Sequence, residues 1–261
     1  MTSRLFLIAY ACSGLAGLVY EVTWTRLLTL YIGHTTAAAS AVVAAFLGGL
    51  AIGAAVGGRA ASKLTARTCL KAYVALEIAV VVCALLLPVE LQLLRPLLSA
   101  TYENGAGPLF PLVRVLSCIV MVMLPALALG ATFPMAIRWF SRSSDRPAAE
   151  SGTLYFVNTI GAAVGSMLAG FVLIPSIGMQ ATTYVAMAGT LLAAACVTAV
   201  LRVNVGEGTI AKPAPGDPSS DSRAPGLVIA ILGVTGFAAL VHEIAWTRIL
   251  SLILGPTTYA F

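Results

Sequence analysis

Charge is what this sequence has least of. Only 10% of its 261 residues are Asp, Glu, Lys or Arg, against 59% apolar residues and a mean hydropathy of +0.97. Soluble domains carry about 25% charged and about 45–50% apolar residues. The deficit excludes a soluble globular protein and leaves an all-α polytopic membrane protein in the lipid bilayer. The net charge of +5 forms no concentrated basic face with interleaved aromatics, so no nucleic-acid partner is expected. Histidine is nearly absent, with two residues. The five cysteines, Cys12, Cys69, Cys83, Cys118 and Cys196, lie singly in apolar runs, which excludes the paired spacings of zinc or redox sites. There is no Walker loop, no strand-borne GxGxxG and no Ser/His/Asp set. No catalytic residue, metal ligand or cofactor is therefore assigned to this chain.

What the sequence does have is long apolar runs and a repeat. Roughly 20 apolar residues cross a bilayer as a helix. On that measure residues 5–32, 37–58, 70–87, 109–137, 152–174 and 181–201 read as six spans, within a first membrane half covering residues 1–201. Residues 202–225 hold four prolines and six charged residues and read as a solvated linker. Residues 226–261 read as the first span of a second half, cut short. Pro88 is expected to close the third span, with residues 91–98 an amphipathic extension. Pro125 and Pro134 are expected to kink the fourth.

The repeat joins the two halves. Gly14–Ala39 aligns without a gap on Gly236–Phe261, 222 positions later, with 14 of 26 residues identical. The identities include Glu21/Glu243, Trp24/Trp246 and Arg26/Arg248. Repeated segments of this kind mark duplicated structural units. Loop charges give an orientation. Arg59, Lys63, Arg67 and Lys71 follow the second span, Arg138, Arg142 and Arg146 the fourth, and Arg202, Lys212 and Arg223 the sixth, whereas the intervening loops hold almost no cations. The positive-inside bias then places the N-terminus in the cytoplasm. Two parallel six-helix halves joined by a cytoplasmic linker is the layout of major facilitator transporters.

Ionisable residues inside spans are functional candidates by default. Glu21 is the sharpest of them, with Glu243 its counterpart. Glu21 and Arg26 lie five residues apart and so do not face each other along the helix; Arg114, a cavity or a substrate cation is the expected partner. The alternative is a Glu–Arg clamp that only fixes packing. Arg248 repeats Arg26, and Asn158 is a polar candidate that lines a cavity or bonds a neighbouring helix; Thr159 is expected to point inward beside it. Glu77 is a further intramembrane acid, with a basic neighbour as its expected partner. Trp24 and Trp246 read as interfacial belt residues. His242 reads as a proton carrier or as hydrogen-bonded scaffolding. Gly49, Gly53 and Gly57, and Gly161 and Gly165, fall four apart on single faces and read as close helix contacts.

The segments GLAGLVYEVTWTRLL, AFLGGLAIGAAVGGR, LPALALGATFP and YFVNTIGAAVGSMLAGFVLIPSIG together make the chain resemble the membrane region of the bacterial proteins described as fused MFS/spermidine synthase. The segment GGRAASKLTAR departs from the major-facilitator loop pattern in having no acid between Gly58 and Lys63. The resemblance implies a six-helix major-facilitator-like half-bundle in the bacterial inner membrane. It implies as partners a second half-bundle and a C-terminal aminopropyltransferase-like domain that these 261 residues do not contain. It also implies a transporter-like role with a cationic small molecule such as a polyamine, or, in the alternative, a non-transporting anchor for that domain.

Overall fold

The computed structural model describes residues 2–32, 36–103, 109–142, 146–203 and 224–254. Among these the chain is helical: α1 (Thr2–Ile32), α2 (Thr36–Ala61), α3 (Ala66–Glu103), α4 (Leu109–Phe140), α5 (Pro147–Leu168), α6 (Ile174–Val203) and α7 (Ala224–Leu254). The chain divides into two units, Met1–Ile210 and Ala211–Phe261. The division falls within residues 202–225, of which positions 204–223 lie outside the described residues, as do positions 255–261 at the end of the repeat. In the second unit α7 is exposed along most of its length.

Six described helical stretches are long and apolar enough to cross a membrane. The chain is therefore an all-α polytopic membrane protein. One stretch, Pro147–Val203, runs for 57 residues, about 85 Å of helix at 1.5 Å per residue, far more than the ~30 Å of a bilayer core. It folds back on itself. A π-helical turn (Ala169–Leu173) ends α5, and Gly178 then takes φ 77°, ψ 169°, a backbone conformation that side-chain-bearing residues avoid.

Residue pairings give the direction of each helix. Gly161 and Gly165 of α5 lie against Ala11 and Leu15 of α1, so α1 and α5 run parallel. Gly49, Gly53 and Gly57 of α2 lie against Ala126, Leu127 and Ala131 of α4, so this pair is parallel too. Ser13 meets Glu77 while Phe6 meets Tyr73, which makes α3 parallel to α1. Tyr20 meets Thr190 while Cys12 lies near Cys196, so α6 opposes α1; Phe6 with Trp139 and Tyr10 with Phe133 show the same for α4. The six helices of the first unit thus alternate in direction, with five reversals. Arg4, Arg59, Arg67, Lys71, Arg138, Arg142, Arg146 and Arg202 consequently gather at one end of the bundle.

The two parallel pairs touch backbone to backbone. A Cβ built on Gly49 would stand 2.6 Å from Ala126 Cβ, and one on Gly57 would stand 2.9 Å from Ala131 Cα. At Gly53, Gly161 and Gly165 a Cβ would collide with the carbonyl oxygens of Leu127, Ala11 and Leu15. Gly130 returns the contact against Leu50.

Pro88 does not close a helix as the sequence led one to expect. α3 continues through Pro88 and Pro96 to Glu103, and α4 runs unbroken through Pro125 and Pro134. A proline removes one intrahelical bond, and in a packed membrane helix neighbouring helices tolerate this loss.

Gly53→Ala should destabilise the bundle by about 1–3 kcal/mol, because the added methyl enters the space of a backbone carbonyl. Gly48→Ala, on the same helix with open space at its Cβ position, should be neutral or stabilising by up to ~1 kcal/mol through helix propensity. Thermal unfolding of the two variants in detergent checks the contrast.

Candidate functional site

Helix α1 lies at the centre of the first unit, packed by α5, α6, α2 and α4. Its buried side chains Phe6, Tyr10, Tyr20, Trp24 and Leu28 fill the interior. Trp24, read from sequence as a belt residue, is only 1% exposed and stacks on Tyr20 with ring centroids 4.8 Å apart. The expectation failed because Trp24 lies on a face of α1 that turns into the bundle, away from the exposed Ile8 and Leu30 of the same helix. Trp246 of α7 is exposed.

Glu21 and Arg26 are half-buried on α1, and Glu243 and Arg248 are exposed on α7. Arg114 lies on α4, its side chain outside the described residues. Asn158 is half-buried, with its Oδ1 and carbonyl oxygen facing the backbone of Gly14; it belongs to the α1–α5 contact. Thr159 does not point into the bundle. It is exposed, and its hydroxyl donates to Tyr155 O at 2.8 Å. His242 lies 2.7 Å from its own helix through Nδ1 and Ala238 O.

The deepest polar group is Glu77. It is fully buried, and among the described residues it is the one Asp, Glu, Lys or Arg of which that is true. The basic neighbour expected from sequence is not what meets it. Ser13 Oγ donates to Glu77 Oε1 at 2.6 Å across the α1–α3 contact. Tyr73, one turn earlier on α3, stands beside both groups, yet its hydroxyl and Glu77 Oε2 make no hydrogen bond of good geometry. Tyr10 and Tyr20 of α1 lie within electrostatic reach. Tyr20 meets Thr190 of α6, hydroxyl to hydroxyl, at 3.3 Å. A line of buried hydroxyls therefore runs through α1, α3 and α6 with Glu77 in its middle. The sequence carried the signal: Tyr10, Ser13 and Tyr20 share one face of α1 at spacings of three and seven, and Tyr73 and Glu77 are four apart on α3.

Aromatic rings separate Glu77 from the basic end. Phe6 packs on Trp139 at 4.6 Å and on Tyr73 at 6.0 Å. Outside them the Arg142 guanidinium carbon lies 4.2 Å over the Trp139 ring, and Arg142 Nη1 donates to Trp139 O at 2.8 Å. Partial burial holds Arg142 below its ordinary pKa, and the nearby Glu150 carboxylate opposes that shift. A groove of about 550 Å³ opens between α3 and α4, lined by Cys83, Glu90, Leu116, Ser117, Val120 and Met121. Its lining includes Pro125 and Cys83 but none of the binding candidates drawn from the sequence.

Set against known proteins, the chain matches no protein-family model and no curated protein.

Trp24→Ala should cost about 3–5 kcal/mol, the range for removing a buried aromatic. Tyr20→Phe should cost about 1 kcal/mol, since it deletes one hydrogen bond and keeps the ring. Equilibrium unfolding in mixed micelles measures both.

Proposed function

We propose that this chain is a transporter-like membrane module, a major-facilitator-like half-bundle that moves a cationic small molecule by alternating access. The observation that carries the reading is Glu21. It is an ionisable residue, half-buried in the second half of the central helix, and it stands on the segment that the sequence repeats as α7 with Glu243 in the matching place. Intramembrane acids are expensive and mark ion or substrate pathways. The glycine faces of α2 and α5 support the same reading, because smooth backbone contacts let packed helices shift without unlocking side chains.

The gathering of cations at one end supports a cytoplasmic N-terminus. The resemblance to fused MFS/spermidine synthase proteins supports a polyamine as the class of cation and the bacterial inner membrane as the location. In this reading Glu21 binds the cation, and Glu243 holds the matching place in the sequence repeat.

The filling of the core by Tyr20, Trp24 and Tyr73 favours a second reading, a packed anchor for a C-terminal aminopropyltransferase-like domain that transports nothing. Reconstitution separates the two. With the protein in vesicles, Glu21→Gln should abolish uptake of labelled spermidine while the thermal unfolding midpoint changes little. Unchanged uptake removes Glu21 from the pathway, and no uptake by the unmodified protein supports the anchor.

A further inference from the structure

The reading above makes no use of Glu77, the acid that the bundle buries most completely. Glu77 lies eleven residues into α3 from Ala66, and Ser13 lies eleven residues into α1 from Thr2, so the two meet ~16 Å along parallel helices. The groups facing Glu77 are these. From α1 come Ser13, Tyr10 and Tyr20; from its own helix comes Tyr73. From α6, Thr190 stands behind Tyr20, and Cys196 pairs electrostatically with Cys12 of α1. On α4, Arg138 lies by Cys69, eight residues nearer the basic end and so ~12 Å away along α3. Every described polar contact of Glu77 is thus a hydroxyl, and none brings a positive charge.

Such surroundings suit one form of the side chain. An ionised carboxylate taken out of water costs several kcal/mol unless a cation compensates it. A neutral carboxyl has one acceptor oxygen and one O–H donor. The acceptor is already matched, since Oε1 takes the Ser13 hydroxyl. The other oxygen, Oε2, is buried without a hydrogen bond of good geometry, as is the hydroxyl of Tyr73, which stands beside the same carboxyl group. The Tyr73 hydroxyl can accept from a protonated Oε2 or donate to it. It brings no positive charge, so it does not offset the cost of ionising a carboxyl buried this deeply.

We infer that Glu77 is a proton-binding site: the closed bundle holds its carboxyl neutral against Ser13 and Tyr73, and releases the proton when α1 and α3 part. On release the O–H bond of Oε2 breaks, the electron pair stays on the carboxylate, and the proton passes to an entering water as hydronium. Binding and helix contact are reciprocal: whatever separates α1 from α3 weakens the site for its proton, and loss of the proton weakens the contact. The site does not depend on the transport reading. A membrane anchor with the same packing has it as well.

Infrared spectroscopy of the full chain in lipid nanodiscs at neutral pH tests the inference directly. The unmodified protein minus Glu77→Gln should show one protonated-carboxyl C=O band that moves on transfer to D2O. Ser13→Ala should keep that band but displace it, because it removes the hydrogen bond to Oε1. Glu90→Gln should leave it unchanged. A difference spectrum holding only carboxylate bands overturns the proposal. Should Glu77→Gln fail to fold, the Ser13→Ala comparison decides: a displaced protonated-carboxyl band supports the site, and the absence of any displacement refutes it. Residue and readout both differ from those of the vesicle assay on Glu21, so either result can fail without the other.

Discussion

The structure depends on backbone-to-backbone contact between parallel helices. Lipid tails are as apolar as leucine, so burial supplies no drive for one membrane helix to leave lipid for another, and close packing must supply it instead. Gly49, Gly53 and Gly57 let α2 meet α4 without intervening side chains, and Gly161 and Gly165 do the same for α5 on α1. Both pairs are parallel, so each needs antiparallel crossings between its members. α3 returns the chain between α2 and α4, and three helices intervene between α1 and α5. The glycines therefore select the topology as well as tightening it, because the contacts they permit form only when the intervening chain has crossed and come back.

This packing places α1 at the centre, and the centre determines what its side chains can do. Surrounded by four helices, α1 turns Tyr10, Ser13, Tyr20 and Trp24 away from lipid and water. Aromatic rings fill the volume, and hydroxyls face Glu77 of α3. The same topology carries the arginines and lysines of alternate loops to one end, leaving Glu77 inside the bundle with hydroxyls for neighbours. Charge separation of this kind follows from alternating helix direction. A loop cation on every second connection must collect at one end, whereas an acid eleven residues inside a helix cannot reach it.

Much of the fold was legible in the sequence, and the reasons are physical. Apolar length and the loop cations gave the crossings, and the four-residue glycine spacing marked the faces that α2 and α5 present. The reversal after α5 was legible as a gap between apolar runs, although its mechanism, a π turn followed by a positive φ at Gly178, was not. Pro88 misled because its cost is set in water, and a packed membrane helix tolerates the loss of one backbone bond. Trp24 misled because composition shows that a residue is amphipathic but not which side of a bundle it faces. Glu77 was legible as an intramembrane acid. Its neighbours were not, because a contact between positions 13 and 77 leaves no periodic mark on either segment.

The hydroxyl of Ser13 shows how specific that contact is. In a membrane helix a serine or threonine satisfies its hydroxyl by bonding back to a carbonyl three or four residues earlier. Thr23 bonds to Val19, Thr182 to Gly178, Thr198 to Ala194 and Ser117 to Val113 in this way. Thr235, which holds on α7 the place of Ser13 on α1, bonds to Ile231 and Leu232 of its own helix. Ser13 instead points across to α3. An intrahelical bond is always within reach of such a hydroxyl, so it leaves its own helix only for a better acceptor, and a carboxyl oxygen at 2.6 Å is one. One position before the repeat both helices carry a hydroxyl, while the acid opposite Ser13 gives the hydroxyl of α1 a role that a back-bonded one does not have.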